Sequence, residues 1–208
     1  MEPLESFLGF LNKFVSLSAD EFQTNIVPYI EVRTYRKKEA VSKSGEVENY
    51  INFIGKGLVR KFFVHEGNEI ITQIAREEQI IHSQESFYSR TPSQYTIEAI
   101  EPTTLLSITH ENLEKIYSSS ATMERMGRLI VTFIMVVNDR WQMSLLKLSP
   151  RERFLQFVQN NSELMQRVPQ KYLASLLNIQ PETFSRFKHL LRNPSVSQDE
   201  TTTLTSGE

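Results

Sequence analysis

The sequence predicts an α+β protein made of an antiparallel β jelly roll, one long helix and a C-terminal helix-turn-helix. Short segments of alternating apolar and polar residues, separated by Gly, Pro and Asn, fill residues 30–108. Apolar residues then recur at helical spacing from about Ala121 to Leu146. Two short amphipathic segments flank Asn178 near the end of the chain.

Two short helices are predicted before the first strand. Apolar residues recur with helical period between Leu4 and Val15. Ser18 followed three positions later by Glu21 fits a capping box, in which each residue binds the backbone amide of the other. A second helix should therefore begin here and run toward Tyr29. We expect both helices to cover one end of a sheet.

From residue 30 the apolar pattern changes to a period of two, which is typical of strands. The segments with this pattern include Tyr50–Gly55, Leu58–Val64, Tyr95–Ile100 and Thr104–Ile108. Turn residues such as Gly-Lys-Gly, Glu-Gly-Asn and Glu-Pro-Thr separate them. Many short strands at regular spacing predict an antiparallel sandwich or jelly roll.

The long helical segment has an apolar face broader than one sandwich needs to cover. One stripe contains Met126, Leu129, Phe133, Val136 and Met143, and a second contains Met123, Ile130, Ile134, Val137 and Trp141. We expect one stripe to pack on its own domain and the other to meet a second copy across a two-fold axis. The alternative is a core helix that packs only within its own chain. The residues assigned to the dimer helix are Met126, Ile130, Phe133, Val137 and Trp141.

A glycine within the long helix suggests a close contact. Gly127 costs about 1 kcal/mol of helix propensity relative to alanine. It is tolerated best where two backbones approach each other closely.

The C-terminal helices have recognisable ends. Ser149 is a suitable N-cap before Pro150. Asn178 tolerates left-handed backbone angles and can end a helix, whereas Pro181 suits the first turn of the next. In that last helix, one face carries Phe184, Phe187 and Leu191, and the other carries Glu182, Ser185, Arg186 and His189. Such a pair of helices can place its second helix in the DNA major groove.

The stretch from Val168 to Leu191 resembles the DNA-reading motif of the cAMP receptor protein/Fnr family of bacterial transcription regulators. In that family a Glu-Thr/Ser core is followed by an arginine, and Glu182, Thr183 and Arg186 stand in those places here. A glutamate can accept from cytosine N4, and an arginine can bind guanine O6 and N7. Pro181 stands where some members place another base-reading arginine, so the resemblance does not supply the operator sequence.

The resemblance implies a set of DNA-contacting residues. Arg186 and Glu182 would read bases. Phosphates or neighbouring base edges would be contacted by Lys171, Gln180, Thr183, Ser185 and Lys188. The resemblance also implies a cyclic-nucleotide-binding-like sensor domain, a homodimer joined through the long helix, and RNA polymerase as a further partner.

Cyclic-nucleotide-binding members carry a Gly-Glu pair and an arginine before a strand. Here Ile81-His82 stands where the pair belongs, and Arg90 is displaced along the chain. We therefore do not expect cAMP or cGMP to bind, and no cofactor is assigned. The segment suits a small anionic or aromatic effector, with His82, Glu85, Ser86, Phe87, Tyr88, Arg90 and Ser93 as the pocket residues. The alternative is that it only caps the sandwich.

Charge is distributed unevenly along the chain. The net charge is −2, but residues 149–193 carry seven Lys/Arg against three Asp/Glu. Positive charge is therefore concentrated on the helix-turn-helix, as DNA phosphate would require. Residues 194–208 hold three acids and no base. They show no hairpin pattern, so we expect a disordered tail in place of the family's β-hairpin wing.

Several functional classes are disfavoured. With no cysteine, the chain cannot form disulfides or use thiol catalysis or cysteine-held metals. The histidines are far apart, so no cupin-like metal site is predicted. No serine nucleophile elbow or phosphate-binding glycine loop occurs, which argues against an enzyme. The apolar run Leu129–Val137 is too short to span a bilayer, and no signal peptide is visible, so we expect a cytoplasmic protein that does not bind membranes.

The sequence therefore predicts four segments: a sensor domain at 1–118, a dimerisation helix at 119–147, a helix-turn-helix domain without a clear wing at 148–193, and an acidic tail at 194–208. The predicted function is transcription regulation through double-stranded DNA, in response to an effector other than cAMP. The alternative is a sensor or interaction protein that kept the fold and lost sequence-specific DNA binding.

Overall fold

The computed structural model describes residues 2–192. The chain divides into two compact units between Arg140 and Trp141. This division falls inside the segment predicted as the dimerisation helix, and the four predicted segments stay a prediction. The predicted disordered tail at 194–208 and the missing wing lie outside the described residues.

The first unit begins with two helices, α1 at Glu2–Leu11 and α2 at Ala19–Asn25, followed by a 3-10 turn at Val27–Tyr29. The capping box predicted at Ser18 is confirmed, because its hydroxyl accepts from the Glu21 amide and the Glu21 carboxylate accepts from the Ser18 amide.

Eight strands follow. They are β1 at Glu31–Tyr35, β2 at Ala40–Ser42, β3 at Tyr50–Lys56, β4 at Val59–His65, β5 at Asn68–Ala75, β6 at Ile80–Ile81, β7 at Thr96–Ala99 and β8 at Thr103–Thr109. Their pairing is antiparallel in two four-stranded sheets, ordered β1-β8-β3-β6 and β2-β7-β4-β5. This arrangement confirms the predicted jelly roll.

Three more helices complete this part of the chain: α3 at Gln84–Ser89 between β6 and β7, α4 at His110–Ser119, and the long α5 at Ala121–Lys147. One apolar cluster fills the space between the two sheets and includes Ile54, Ile97 and Leu105. A larger cluster packs α1, α2, α4 and the first part of α5 against β3 and β8. The N-terminal helices therefore cover a sheet, as expected.

The first part of α5 belongs to the core of its own domain. Met126 and Ile130 are 4% and 7% exposed and pack in the larger cluster. Their assignment to the dimer face is therefore wrong, because the sheet domain already covers them. Phe133 and Val137, by contrast, are 49% and 44% exposed, and Trp141 is half-buried.

By length and composition, α5 could also cross a membrane, with 6% of its most apolar window buried. The apolar run Leu129–Val137, which contains Thr132, is shorter than the helix to which it belongs. A single helix of this kind is weak evidence for a membrane span, since an apolar dimer seam has the same composition. This helix also exposes two charged residues, Asp139 and Arg140.

Up to residue 192, the second unit contains the end of α5 and four short helices: α6 at Pro150–Asn160, α7 at Leu164–Arg167, α8 at Gln170–Leu176 and α9 at Pro181–Arg192. Ser149 and Glu152 form a second capping box at the start of α6. The predicted helix-turn-helix is therefore present, with α9 as its second helix.

Candidate functional site

In the turn between α8 and α9, backbone amides of the turn donate hydrogen bonds to carbonyls at the end of α8. Asn178 has a φ of 51°, which is the left-handed conformation predicted for it. The Asn178 amide donates to the Ser175 carbonyl at 3.0 Å, and the Ile179 amide donates to the Ala174 carbonyl at 2.9 Å. These two bonds form a Schellman motif, and Ile179 is buried beside it. The angle between the two helices is therefore set by backbone bonds and by packing.

The inner face of α9 is anchored by aromatic rings. Phe184 is fully buried, and its ring meets that of Phe154 in α6 edge to face, with centroids 5.1 Å apart. The Phe187 ring lies 5.6 Å from the same Phe154 ring. Edge-to-face pairs add about 0.5–1.5 kcal/mol beyond the area that they bury. This packing orients the opposite face of α9 toward solvent.

That outer face carries polar side chains. Glu182, Arg186 and His189 are exposed on α9, and Ser185 between them is half-buried. Positions 182, 185, 186 and 189 follow the spacing that places residues on one side of a helix. We name this set the outer face of α9. It combines acceptors, an arginine fork and an imidazole, which are groups suited to base edges.

The structure sorts the seven residues assigned to DNA contact by exposure. Lys171, Gln180, Glu182 and Arg186 are exposed, whereas Thr183, Ser185 and Lys188 are half-buried. Lys188 lies one turn after the buried Phe184, so it is on the flank of the helix and not at the centre of the outer face. His189 was not assigned to the site, although its spacing from Glu182 and Arg186 would have placed it there.

In the sheet domain, the structure divides the seven predicted pocket residues between interior and surface. His82, Ser86, Phe87 and Ser93 are buried. Glu85, Tyr88 and Arg90 are exposed. All seven residues belong to α3 or to the segments that flank it. One side of α3 faces the interior of the domain, and the other faces solvent. The structure therefore does not bring the seven residues together into one pocket.

Arg90 is already engaged by its own chain. It ends α3 with a φ of 58°. Its Nη1 donates to the Glu48 carbonyl at 2.8 Å and the Phe87 carbonyl at 3.1 Å, and its Nη2 donates to Asn49 Oδ1 at 2.6 Å. The guanidinium therefore ties α3 to the loop before β3. A phosphate would have to displace these bonds to reach it.

The buried hydroxyls are satisfied in the same way. Ser86 Oγ accepts from the Glu48 amide at 2.9 Å and donates to the Thr91 carbonyl at 2.5 Å. Ser93 Oγ lies 2.9 Å from Ser83 Oγ and accepts from the Tyr95 amide at 2.9 Å. These hydroxyls act as structural links within the loop.

Near the predicted pocket, two charged residues are buried that were not predicted to be there from the sequence. Lys61 on β4 is 7% exposed, and its Nζ donates to the His82 carbonyl and Gln84 Oε1, both at 3.3 Å. Burial lowers the pKa of Lys61 to about 8, against the opposing effect of the Glu48 charge. Glu48 is 2% exposed and accepts from Ser42 and from the Tyr50 amide. Neither residue belongs to a motif, so no local signal marked it.

His82 lies beside this lysine. Its ring meets Phe87 and Tyr88 edge to face, with centroids 5.3 and 5.8 Å away. Its Nε2 has no hydrogen-bond partner among the described residues. Burial first, and then the nearby Lys61 charge, lower the pKa of His82 to about 3. The imidazole is therefore neutral at physiological pH.

Known proteins share this architecture. Residues 32–120 match the family model of the cyclic nucleotide-binding domain. No curated protein sequence matches the chain. Among solved structures, FixK2 from Bradyrhizobium japonicum is similar at 18% identity, with a TM-score of 0.70 over 79% of this chain and 85% of that one.

Two further structures agree with this match. The c-di-GMP responsive global regulator CLP of Xanthomonas campestris matches at 14% identity and a TM-score of 0.64, over 83% of this chain and 91% of that one. The catabolite activator protein of Thermus thermophilus matches at 19% identity and a TM-score of 0.55, over 93% and 88%. At these identities the likeness concerns the fold. The predicted resemblance and fold class are confirmed at that level.

Proposed function

We propose that this chain, which has the fold of the cAMP receptor protein/Fnr regulators, is a homodimeric transcription regulator that reads double-stranded DNA through α9. One observation carries the proposal: the outer face of α9 presents Glu182, Arg186 and His189 to solvent, while Phe184 and Phe187 hold the opposite face on α6. A helix held this way can enter the major groove without losing its own packing.

Charge supports the same conclusion. The surplus of basic residues lies within 149–193 although the chain as a whole is acidic. Lys171, at the start of α8, is exposed on the helix that crosses the DNA backbone in helix-turn-helix proteins. Two copies of the motif, related by a two-fold axis, would bind two half-sites.

The proposed regulator responds to an effector other than a cyclic nucleotide. A cyclic phosphate needs an arginine that is free to pair with it, and Arg90 donates to three protein oxygens instead. Thermal unfolding in the presence of cAMP, cGMP and a panel of small metabolites tests this point. A rise of several degrees with cAMP would contradict it.

The proposal also includes a cytoplasmic location and the lack of enzymatic activity. Both follow from the role itself, because a regulator of this type acts where the DNA is and binds it without covalent chemistry. RNA polymerase is the further partner that such a regulator engages at a promoter.

The decisive experiment is fluorescence anisotropy with random-sequence duplex at several salt concentrations. A protein that neutralises phosphates must lose affinity steeply as salt rises. Binding that is absent, or that does not respond to salt, would favour the alternative of a sensor or interaction protein without DNA reading. Two features favour this alternative: the predicted lack of a wing, and Pro181, where relatives can place a base-reading arginine.

A further inference from the structure

Arg153, in the first turn of α6, is almost completely buried, with 7% of its surface exposed. Its side chain donates to four backbone carbonyls. Nη1 reaches Leu148 at 2.6 Å and Leu145 at 3.2 Å, Nε reaches Leu177 at 3.0 Å, and Nη2 reaches Asn178 at 3.2 Å. The first two acceptors end α5, and the other two form the turn between α8 and α9.

Two of these carbonyls, those of Leu145 and Leu177, lack their usual helical donors. Leu145 would accept from the amide of Ser149, but that amide donates to the Glu152 carboxylate of the capping box. Leu177 would accept from the residue four positions later, which is Pro181 and has no amide hydrogen. A helix end leaves such carbonyls unpaired and carries partial negative charge. One guanidinium therefore caps two helix ends at once.

We propose that Arg153 is a positioning residue that fixes the orientation of the helix-turn-helix relative to the end of α5. Its neighbour Phe154 packs on the rings of α9, so two consecutive side chains of α6 hold both parts of the motif. Any change in the end of α5 is then transmitted to the turn and to α9. The consequence for DNA reading rests on the proposed function, whereas the positioning itself does not.

Lysine cannot replace this residue. An ammonium is a compact charge with three donors, whereas the guanidinium is a planar fork with five. Arg153→Lys keeps the charge and most of the volume but cannot reach both pairs of carbonyls. Arg151→Lys, two residues earlier on α6 and exposed, is the matched control.

The orientation can be measured directly because the chain contains no cysteine. Spin labels on Gln142→Cys in α5 and His189→Cys in α9, both exposed positions, report the distance between the two elements by pulsed electron resonance. Diluting the labelled chain with unlabelled chain isolates distances within one protomer. Since lysine keeps only part of the four bonds, Arg153→Lys should widen the distance distribution about twofold, and Arg151→Lys should leave it unchanged. Equal widths in all three proteins would overturn the proposal.

A second measurement needs no variant and covers the case in which Arg153→Lys does not fold. In the unsubstituted chain, the Nε–H of Arg153 is buried and bonded, so it should exchange with water at least about tenfold more slowly than that of Arg151. Equal exchange rates for the two arginines would contradict the proposed bonds.

The DNA consequence is tested with unlabelled chain. Arg153→Lys should keep its affinity for random duplex, because the basic surface is unchanged, and lose most of its preference for one spacing between half-sites. Retained spacing preference would contradict the positioning role. If the unsubstituted chain binds no DNA at all, the proposed function fails, while the distance measurement still decides the role of Arg153.

Discussion

The ring of Tyr117, at the end of α4, lies against Gly127 and fills the space that a β-carbon there would need. Gly127 is buried within α5. The sequence predicts that this glycine is tolerated best where two backbones approach closely. In the structure, the nearest group to the missing β-carbon is an aromatic side chain of the same chain.

Gly127→Ala should therefore destabilise the sheet domain. The added methyl group would have to displace the Tyr117 ring, and overpacking of this kind costs about 1–3 kcal/mol. The helix propensity of alanine offsets about 1 kcal/mol of that cost. Chemical denaturation followed by circular dichroism gives the net change in the free energy of unfolding.

The control for this prediction is a Tyr117→Ala background. Without the ring, Gly127→Ala should be neutral or stabilising by about 1 kcal/mol, because only helix propensity is left. The same loss in both backgrounds would show that the ring is not the obstacle.

The exposed apolar stripe on α5 predicts that the chain forms a dimer. Phe133, Val136 and Met143 lie on one side of the helix and are 49%, 40% and 52% exposed. Val136→Glu places a charge at this seam in each of two symmetric copies. We expect the dissociation constant of the dimer to rise at least about tenfold, because both carboxylates would be desolvated. Analytical ultracentrifugation measures this constant. Gln142→Glu, an exposed polar position on the same helix, adds the same charge and should leave the dimer unchanged.

Features that depend on neighbours in the chain could be predicted from the sequence. The capping box at Ser18, the N-cap at Ser149, the left-handed Asn178 and the helix start at Pro181 are all local features. Each follows from the hydrogen-bonding or backbone preference of one residue type. The jelly roll was also predicted from a local pattern, namely the alternation of apolar and polar residues along short segments separated by turn residues.

Features that depend on tertiary contacts could not be predicted. Periodicity showed that α5 has two apolar stripes, but it could not show that Met126 and Ile130 belong to the core of the sheet domain. Lys61 and Glu48 are charged residues on and beside strands, and their burial depends on loops distant in sequence. The burial of Arg153 could not be predicted either, because its four acceptors are backbone atoms that the sequence does not reveal.

The buried His82 predicts a specific acid sensitivity. Its pKa is about 3 in the folded chain against 6.5 ordinarily, so between these values the unfolded chain binds a proton that the folded chain does not. Stability is therefore lost as the pH falls from 6.5 toward 3, by about 1.4 kcal/mol per pH unit once the unfolded imidazole is charged. Denaturation midpoints measured between pH 7 and 4.5 follow this loss.

His82→Gln removes the titrating group and should reduce the slope of stability against pH in that range. The carboxylates of the chain contribute equally to both proteins, so the difference between them reports His82 alone. His65→Gln, at an exposed position on the β4–β5 hairpin, serves as the control and should keep the original slope. A His82→Gln slope equal to that of the unsubstituted chain would mean that the imidazole takes up its proton in the folded state.

Arg186 should determine base preference, whereas exposed arginines elsewhere should contribute only charge. The Arg186 side chain stands on the outer face of α9 beside Glu182, and a guanidinium there can bind guanine O6 and N7. After selection of a preferred duplex from a random pool, Arg186→Ala should lose about 1–3 kcal/mol of discrimination against a substituted guanine. Arg151→Ala removes the same charge from α6, so it should weaken binding to every duplex alike and leave the preferred sequence unchanged. If both variants lose affinity without any change in preference, Arg186 contacts phosphate, and base reading must be assigned to other residues of the outer face.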